Sequence, residues 1–179
     1  MSDYASIILK SGKDQSMRRF HPWVFSGAIK KMYGTVNEGD IVKVFDNKDE
    51  FLGLGHYQIG SIAVRILSFK DIVIDNAYWK DKISKAYQLR RDLGLAENES
   101  NDVYRLIHAE GDGLPGLIID YYNGTAVMQS HSVGMWLQKE VISEALKEVM
   151  GDQLTAIYDK SEGTLPFKAN IEPVNGYIW

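Results

Sequence analysis

Hydrophobic and polar positions alternate along much of the first 70 residues with a period of two, which is typical of β-strands. In "SIAVRILSF" the branched residues Ile62, Val64 and Ile66 occupy every second position, which predicts a half-buried strand. Similar strand-like runs are "ASIILKSG", "DIVKVFD" and "FLGLGHYQ". The pattern predicts a small, mostly β N-terminal domain, to which we assign residues 1–72.

One short helix interrupts this β pattern. Asp14 is a suitable N-cap, and the helix is expected to end near Phe20 because Pro22 disfavours helical geometry at His21. The basic residues of this segment are interleaved with aromatic ones in "KDQSMRRFHPWVFSGAIKK".

After residue 72 the period changes to that of a helix. Asp75 can cap a helix whose apolar face includes Trp79 and Ile83, and Gly94 can end it. A second amphipathic helix is predicted in "VGMWLQKEVISEALKEVM", with Leu137 on its buried side. Strands are predicted in "VYRLIHA", "GLIIDYY", "TAVMQSH" and "LTAIYDK". Asn123 and Gly124 predict a hairpin turn between the second and the third of these strands. Residues 73–179 therefore read as a small α+β domain with antiparallel strands and two helices, and the tail "LPFKANIEPVNGYIW" carries no predicted element.

The composition narrows the class of protein. The 179 residues are 45% hydrophobic and 25% charged, as in ordinary globular proteins, and there is no apolar run of the roughly 20 residues that span a bilayer. Without cysteine the chain has no disulfide, thiolate metal site or cysteine nucleophile. The start lacks the features of a signal peptide. We expect a cytoplasmic protein with no membrane partner.

The charge is distributed unevenly along the chain. The net charge is −4, yet residues 1–72 carry ten basic and eight acidic residues, whereas residues 73–179 carry ten and sixteen. This distribution suggests that a polyanion would meet the N-terminal domain. From charge alone, a solvated basic face is the favoured interpretation.

A glycine-rich loop, "AEGDGLPGLIID", matches the spacing of the dinucleotide-binding fingerprint at Gly111, Gly113 and Gly116. That fingerprint requires a helix after the glycines, so that its N-terminus faces the pyrophosphate. Here a β-branched and aromatic run follows, which predicts a strand. We therefore assign no cofactor-binding residue to this loop.

The same region contains the carboxylates Glu110, Asp112 and Asp120, which are chemically suited to a divalent metal. A small metal-dependent hydrolase is therefore one alternative function. The spacing matches no known metal motif, and Asp112 followed by Gly113 is also an ordinary turn pair. We assign no catalytic or metal-binding residue.

The mixture of cations and aromatic residues near the N-terminus has two interpretations. Cations contact phosphates and exposed aromatic rings stack on unpaired bases, which points to RNA. Alternatively Trp23 and Phe25 are core residues, and we expect at least one of them to be buried. Both interpretations stay open at this point.

Three segments resemble a known family. They are "RRFHPWVFSGAI", "GDIVKVFDNKDEFLGLGHYQIGSIAVRIL" and "YRLIHAEGDGLPGLIIDYYNG". They look like the N-terminal half of RlmI-type S-adenosylmethionine-dependent 23S ribosomal RNA methyltransferases. In that family a PUA-like pseudobarrel and a central α+β domain precede a Rossmann-like methyltransferase domain. The resemblance thus implies an α+β fold class, with a PUA-like RNA-binding domain at 1–72 and a linker domain at 73–179.

The resemblance also implies the function and the partners. This chain would be the RNA-recognition portion of a methyltransferase of the cytosine-C5 type, without the domain that binds S-adenosylmethionine and supplies a cysteine nucleophile. Ribosomal RNA, the missing methyltransferase domain and a second copy of the chain are the implied partners. The family grips RNA in a basic groove beside the PUA helix, which implies the following contact residues here: Lys13, Arg18, Arg19, His21 and Lys30. A non-catalytic RNA-binding or protein-interaction adapter is the alternative.

Overall fold

The computed structural model describes residues 4–166 and 171–179, and the chain divides into two compact units, Met1–Val73 and Ile74–Trp179. The described residues of unit 1 contain one short α-helix and a six-stranded sheet. Its elements are β1 (Ala5–Leu9), α1 (Gln15–Arg18), β2 (Trp23–Phe25), β3 (Ile29–Tyr33), β4 (Ile41–Phe45), β5 (Phe51–Tyr57) and β6 (Ile62–Ser68). The strand order is β2-β6-β5-β4-β1-β3, and only β1 and β4 are parallel among these described pairs.

The core of unit 1 lies on one face of this sheet. Ile7 and Leu9 of β1 alternate with partly exposed neighbours, as do Val42 and Val44 of β4. Met17 of α1 packs into the same cluster, so the helix covers the apolar face. The predicted alternation thus places every second side chain of these strands in the core.

The inner strands are more buried than the sequence pattern indicates. β6 was predicted to be half-buried, but Ala63 and Leu67 are buried together with Val64 and Ile66. That prediction was wrong, because side chains on both faces of β6 are buried. The neighbouring Gly55 has no room for a side chain, since a Cβ atom there would lie 2.0 Å from the carbonyl oxygen of Arg65.

The described residues of unit 2 form α-helices and a five-stranded sheet. Its elements are α2 (Asn76–Asp92), β7 (Val103–His108), β8 (Leu117–Tyr122), β9 (Thr125–Ser130), α3 (Val133–Leu137), α4 (Lys139–Met150), β10 (Ala156–Asp159) and β11 (Gly176–Tyr177). The strand order is β11-β10-β9-β8-β7. Asp75 caps α2 by accepting a hydrogen bond from the Tyr78 N–H at 3.0 Å, as the sequence predicts. Asn123 and Gly124 both have positive φ and form the predicted hairpin turn.

The α+β class is confirmed, and two details of unit 2 differ from the prediction. First, β9 and β10 are parallel, because the chain crosses over through α3 and α4 before it returns to the sheet. Second, the single helix predicted over 133–150 breaks at Gln138 into α3 and α4. The described residues of unit 2 therefore contain three α-helices, and Leu137, predicted to be buried, is exposed.

The tail also differs from its prediction. β11 pairs with β10 through Tyr158 and Tyr177, so a short strand closes this edge of the sheet. Residues 167–170 of the same tail lie outside the described residues. No helix in the described part of the chain combines the length and the apolar character that crossing a bilayer requires.

Candidate functional site

The segment that links β1 to β2 contains most of the basic residues predicted to contact RNA. Asp14 stands at the N-cap of α1 without using its side chain as a cap. Its carboxylate instead accepts a hydrogen bond from Arg18 Nε at 2.5 Å, one helical turn later. The short helix is thus fixed at both ends by one ion pair.

Arg18 is the centre of a larger ion-pair cluster. Its guanidinium also donates to Asp46 Oδ2 at 2.9 Å and to Glu50 Oε2 at 2.7 Å, in the turn between β4 and β5. Hydrogen bonds from Arg18 hold the pKa values of Asp14 and Glu50 below their ordinary values. The backbone N–H groups of Glu50 and Lys48 do the same for the pKa of Asp46. The ion pairs of Arg18 with Asp46 and Glu50 hold α1 against the turn between β4 and β5. Because three carboxylates surround this one guanidinium, its positive charge is already neutralised and is not available to a phosphate.

The other predicted cations are differently placed. Lys13 precedes α1, Arg19 is its C-cap, and both side chains are exposed with no ion pair among the described residues. Lys30 is also exposed. It is the extra residue of a β-bulge, since Ile8 faces Lys31 whereas Leu9 faces Ile29. These three cations therefore remain available to an anionic ligand.

Aromatic side chains accompany these cations on the surface of unit 1. Phe20 is 72% exposed and adopts a positive φ of 60°, a backbone conformation that is rare outside glycine. Its ring meets Phe69 edge to face, with 5.2 Å between the centroids. The prediction that Trp23 or Phe25 is buried was wrong, because Trp23 is half-buried and Phe25 is 48% exposed. β2 lies at one of the two edges of the sheet, and these rings lie at the surface there.

The rings form a continuous row along β2. His21 meets Trp23 with centroids 5.5 Å apart, and Trp23 meets Phe25 at 6.4 Å, both edge to face. The His21 Nδ1 atom accepts a hydrogen bond from the Trp23 N–H at 3.2 Å, which orients the imidazole beside the indole. The row therefore presents a fixed apolar surface next to the cations.

A cavity of about 320 Å³ opens beside this row. Lys13 and Phe25 line it together with residues of α1, β1 and the turn after β2. The Lys10 ammonium donates to the Gly27 carbonyl oxygen at 2.9 Å and so holds that turn in place. The cavity combines the flat ring of Phe25 with the ammonium of Lys13, which has no ion pair among the described residues, and this combination suits a nucleotide base and its phosphate.

The glycine-rich loop of unit 2 has a structural role. It forms a 3₁₀ turn over Ala109–Asp112, and Gly113 follows with a left-handed φ of 67°. β8 then leaves the loop, which confirms the predicted strand. Because no helix starts there, the loop lacks the N–H groups that a dinucleotide fingerprint directs at pyrophosphate.

Arginines hold two of the three carboxylates named above, Asp112 and Asp120. Arg90 of α2 donates to both Asp112 oxygens, at 2.6 and 2.7 Å, and the two side chains are only 9% and 5% exposed. Arg105 pairs with Asp120 at 2.9 Å across β7 and β8. These contacts contradict the alternative of a metal-dependent hydrolase using Glu110, Asp112 and Asp120, because arginines occupy two of its three carboxylates. Among the described residues no group of three side chains could hold a metal.

One buried titratable group in unit 1 was not anticipated. His56 of β5 is fully buried, and burial lowers the pKa of its imidazole to about 4, with a smaller contribution from Arg65. The sequence gives no spacing that marks this residue. The buried imidazole is therefore neutral in the folded chain at neutral pH.

Residues 7–69 match the family model of the PUA-like domain. Over 97% of its length the chain is 38% identical to the ribosomal RNA large subunit methyltransferase I of Alteromonas mediterranea. It is 36% identical, over 96% of its length, to the protein of the same name from Escherichia coli. In both cases it spans 43% of the relative, which is less than half.

Solved structures share this fold. A putative SAM-dependent methyltransferase from Streptococcus mutans superimposes with a TM-score of 0.77 at 18% identity. The match covers 97% of this chain and 43% of that protein. A putative methyltransferase in complex with SAH gives the same TM-score at 18% identity, over 97% of this chain and 42% of that one. At these identities the likeness concerns the fold.

Proposed function

We propose that this chain, which is related to the N-terminal half of ribosomal RNA large subunit methyltransferases I, is the RNA-recognition part of such an enzyme. The observation that carries the proposal is the match of almost the whole chain to these relatives, with a PUA-like domain at residues 7–69. In this proposal unit 1 binds ribosomal RNA and unit 2 is the linker domain.

The surface of unit 1 supplies both kinds of contact that RNA needs. Lys13, Arg19 and Lys30 are exposed cations without ion pairs among the described residues, so they can meet phosphates without first breaking a bridge. Phe25 and His21 present rings beside them, on which an unpaired base can stack. We assign the RNA contacts to these residues.

Arg18 has a different role in the proposal. Its three carboxylate partners hold α1 against the turn between β4 and β5, which positions the neighbouring Arg19. Arg18 therefore acts on RNA binding through the placement of α1, and Arg19 makes the phosphate contact. Replacing Arg18 should change stability and affinity together, whereas replacing Arg19 should change affinity alone.

RNA affinity as a function of salt tests the proposal. The 179-residue chain is titrated with transcribed fragments of large-subunit ribosomal RNA, at several salt concentrations. A variant with Lys13→Ala and Arg19→Ala should bind more weakly, and its slope of log K against log salt should fall by about two, since each lost phosphate contact removes about one. The matched control is Lys70→Ala with Lys85→Ala, which removes the same charge from exposed sites elsewhere. Equal loss in both variants, or no binding by the original chain, would contradict the proposal.

Methyl transfer belongs, in this proposal, to the part of the full-length relatives that this chain does not span. S-adenosylmethionine is the methyl donor implied by such enzymes, and a cytosine C5 atom of ribosomal RNA is the proposed acceptor. We expect no S-adenosylmethionine binding by the 179 residues alone. Isothermal calorimetry with S-adenosylmethionine checks this expectation, and micromolar affinity would overturn it.

A cytoplasmic location and self-association complete the proposal. An open groove in unit 2 is lined by Leu89, Leu93 and Leu95, which are exposed leucines of α2 and the following loop. Such an apolar surface supports a homodimer contact. Sedimentation of the chain and of Leu93→Lys tests it. Self-association without any RNA binding would favour the alternative, a protein-interaction adapter.

A further inference from the structure

A second surface of unit 1 lies on the outward face of β3, β1 and β4. The strand register aligns Tyr33 with Ser6, and Lys31 with Ile8, whose other neighbour is Phe45. Residues directly opposite each other in neighbouring strands project to the same face. These side chains are therefore on one face, while Ile7, Leu9, Val42 and Val44 of the same strands form the core on the other.

This face contains a cavity of about 330 Å³. Its lining residues are Ser6, Ile8, Tyr33, Phe45 and Asp49. Tyr33 is 50% exposed, and Phe51 supports the ring of Phe45 edge to face at 5.8 Å. The lining thus combines the apolar Ile8 and two aromatic rings with the Ser6 hydroxyl and the Asp49 carboxylate.

A cation completes the surface. The Lys31 ammonium lies 4.3 Å from the centroid of the Tyr33 ring. Lys30 is next to it on the same edge strand, exposed in the β-bulge. Two lysines at the edge of an aromatic cavity make an anionic partner with a flat group the best chemical match.

We propose that this cavity, between Tyr33, Phe45 and Asp49, is a second RNA contact, which takes an unpaired nucleotide with its base against Tyr33 and its phosphate at Lys31. The proposal rests on the RNA binding proposed above and extends it to a separate surface. The lining of this cavity shares no residue with that of the cavity beside Phe25. Lys30, one of the five residues predicted from the sequence to contact RNA, lies next to it, beside Lys31. RNA that reaches both surfaces would cover two sides of the β1 strand.

Asp49 orients the nucleotide. Its carboxylate accepts hydrogen bonds and repels phosphate, so the base edge faces Asp49 and the phosphate faces Lys31. Guanine presents two adjacent donors, N1–H and the N2 amino group, which match the two carboxylate oxygens. The other bases present at most one donor group beside an acceptor on that edge. The cavity should therefore prefer guanine.

Substitution of Tyr33 tests the stacking contact. Single-stranded RNA oligonucleotides with and without guanine are titrated against the chain by fluorescence anisotropy. Tyr33→Ala should weaken binding about five-fold or more, whereas Tyr33→Phe, which keeps the ring, should bind as the original chain does. Tyr122→Ala is the matched control, because Tyr122 is an equally exposed tyrosine on a strand of unit 2. Equal affinity of Tyr33→Ala and the control would overturn the proposal.

Crosslinking and base preference supply independent readouts. Oligonucleotides with a photoreactive guanosine analogue should crosslink to a peptide containing Tyr33 or Phe45, and mass spectrometry identifies the site. Asp49→Asn should lose at least half of the preference for guanine, while Lys31→Ala should lower the salt slope by about one. If the original chain binds no RNA, the proposed function fails. If it binds RNA and crosslinks only near Phe25, the second contact alone is wrong.

Discussion

The basic segment of unit 1 and the glycine-rich loop of unit 2 look alike in sequence, since each concentrates charge in a short stretch. The fold uses them in opposite ways. In unit 1 Lys13 and Arg19 project from the surface without ion pairs among the described residues. In unit 2 Asp112 is clamped by Arg90 and nearly inaccessible to solvent. A charged segment therefore indicates a ligand site only where the fold leaves its charged side chains without ion-pair partners.

A second difference concerns the aromatic residues. Phe20 and Phe25 of unit 1 are exposed in the segment that carries the cations. Trp79 of unit 2, in contrast, is buried in α2, which packs against α4 and β7. Exposed rings are costly to leave in water, which is consistent with a binding role for unit 1 and a structural role for the helices of unit 2.

Removal of the buried ion pair of unit 2 should have the largest effect on stability. Arg90→Leu leaves the Asp112 carboxylate buried without its cation and should lower the free energy of unfolding by about 3–5 kcal/mol. Urea denaturation followed by hydrogen exchange in peptides of unit 2 measures the loss. Lys85→Ala is the control on the same helix, because its ion pair with Asp81 is exposed and its loss should cost less than about 1 kcal/mol. RNA affinity of still-folded Arg90→Leu should be unchanged, and a large loss would place unit 2 in the RNA interface.

Acidification should weaken unit 1 through His56. The pKa of His56 is lowered from 6.5 to about 4 in the folded chain, so the unfolded chain binds a proton more readily between these values. The contribution of His56 to stability is complete above pH 6.5 and is lost as the pH falls toward 4, by about 3 kcal/mol. Hydrogen exchange in peptides of unit 1 at pH 7 and pH 5 measures the loss, of which about 2 kcal/mol is expected at pH 5, after correction for the intrinsic exchange rate.

The control for this pH effect is His56→Leu, which removes the titrating group and keeps the site apolar. Its stability should vary less between pH 7 and pH 5 than that of the original chain. An identical pH dependence in both chains would show that another group is responsible.

Substitution of an exposed ring of unit 1 should change RNA affinity without changing the free energy of unfolding. Phe25→Ala should weaken RNA binding by about 1–3 kcal/mol, because a base loses its stacking surface. The same change should leave the free energy of unfolding within about 0.5 kcal/mol, as for other exposed positions. Anisotropy titration and urea denaturation measure the two effects on one sample. A larger loss of stability than of affinity would assign Phe25 to the core.

The smallest expected effect concerns the Arg18 cluster. Its carboxylates have lowered pKa values, so the stability they contribute is present above pH 4 and is lost as the pH falls through their folded pKa values. Arg18→Met should therefore be less stable than the original chain at neutral pH, and the difference should shrink below pH 4. Thermal denaturation at several pH values measures this. A difference that persists at pH 2 would mean that Arg18 stabilises α1 by packing and not by charge.

The sequence predicted the local elements better than their arrangement. The N-cap Asp75 and the hairpin at Asn123 and Gly124 depend on neighbouring residues, and both were found. Strands β2 and β3 were not predicted, since their short runs lie inside a basic segment. The break at Gln138 was also missed, because the apolar spacing continues across it.

The candidate site shows the same division. The sequence indicated Lys13, Arg18, Arg19, His21 and Lys30, and their contact with RNA stays a prediction. It could not distinguish Arg18 from Arg19, because the partners Asp46 and Glu50 are about 30 positions away in the chain. The cavity lined by Tyr33 and Phe45 was missed, because these residues belong to different strands that only the folded sheet brings together.

By itself the sequence determined the α+β class, the position of the basic segment and the strand after the glycine-rich loop. These depend on periodicity and on turn residues, whose physics acts over a few residues. Only the tertiary structure decided which charges are neutralised and which rings are exposed. Arg18 and Asp46, or Arg90 and Asp112, meet because packing brings distant segments together, and that packing depends on the whole chain.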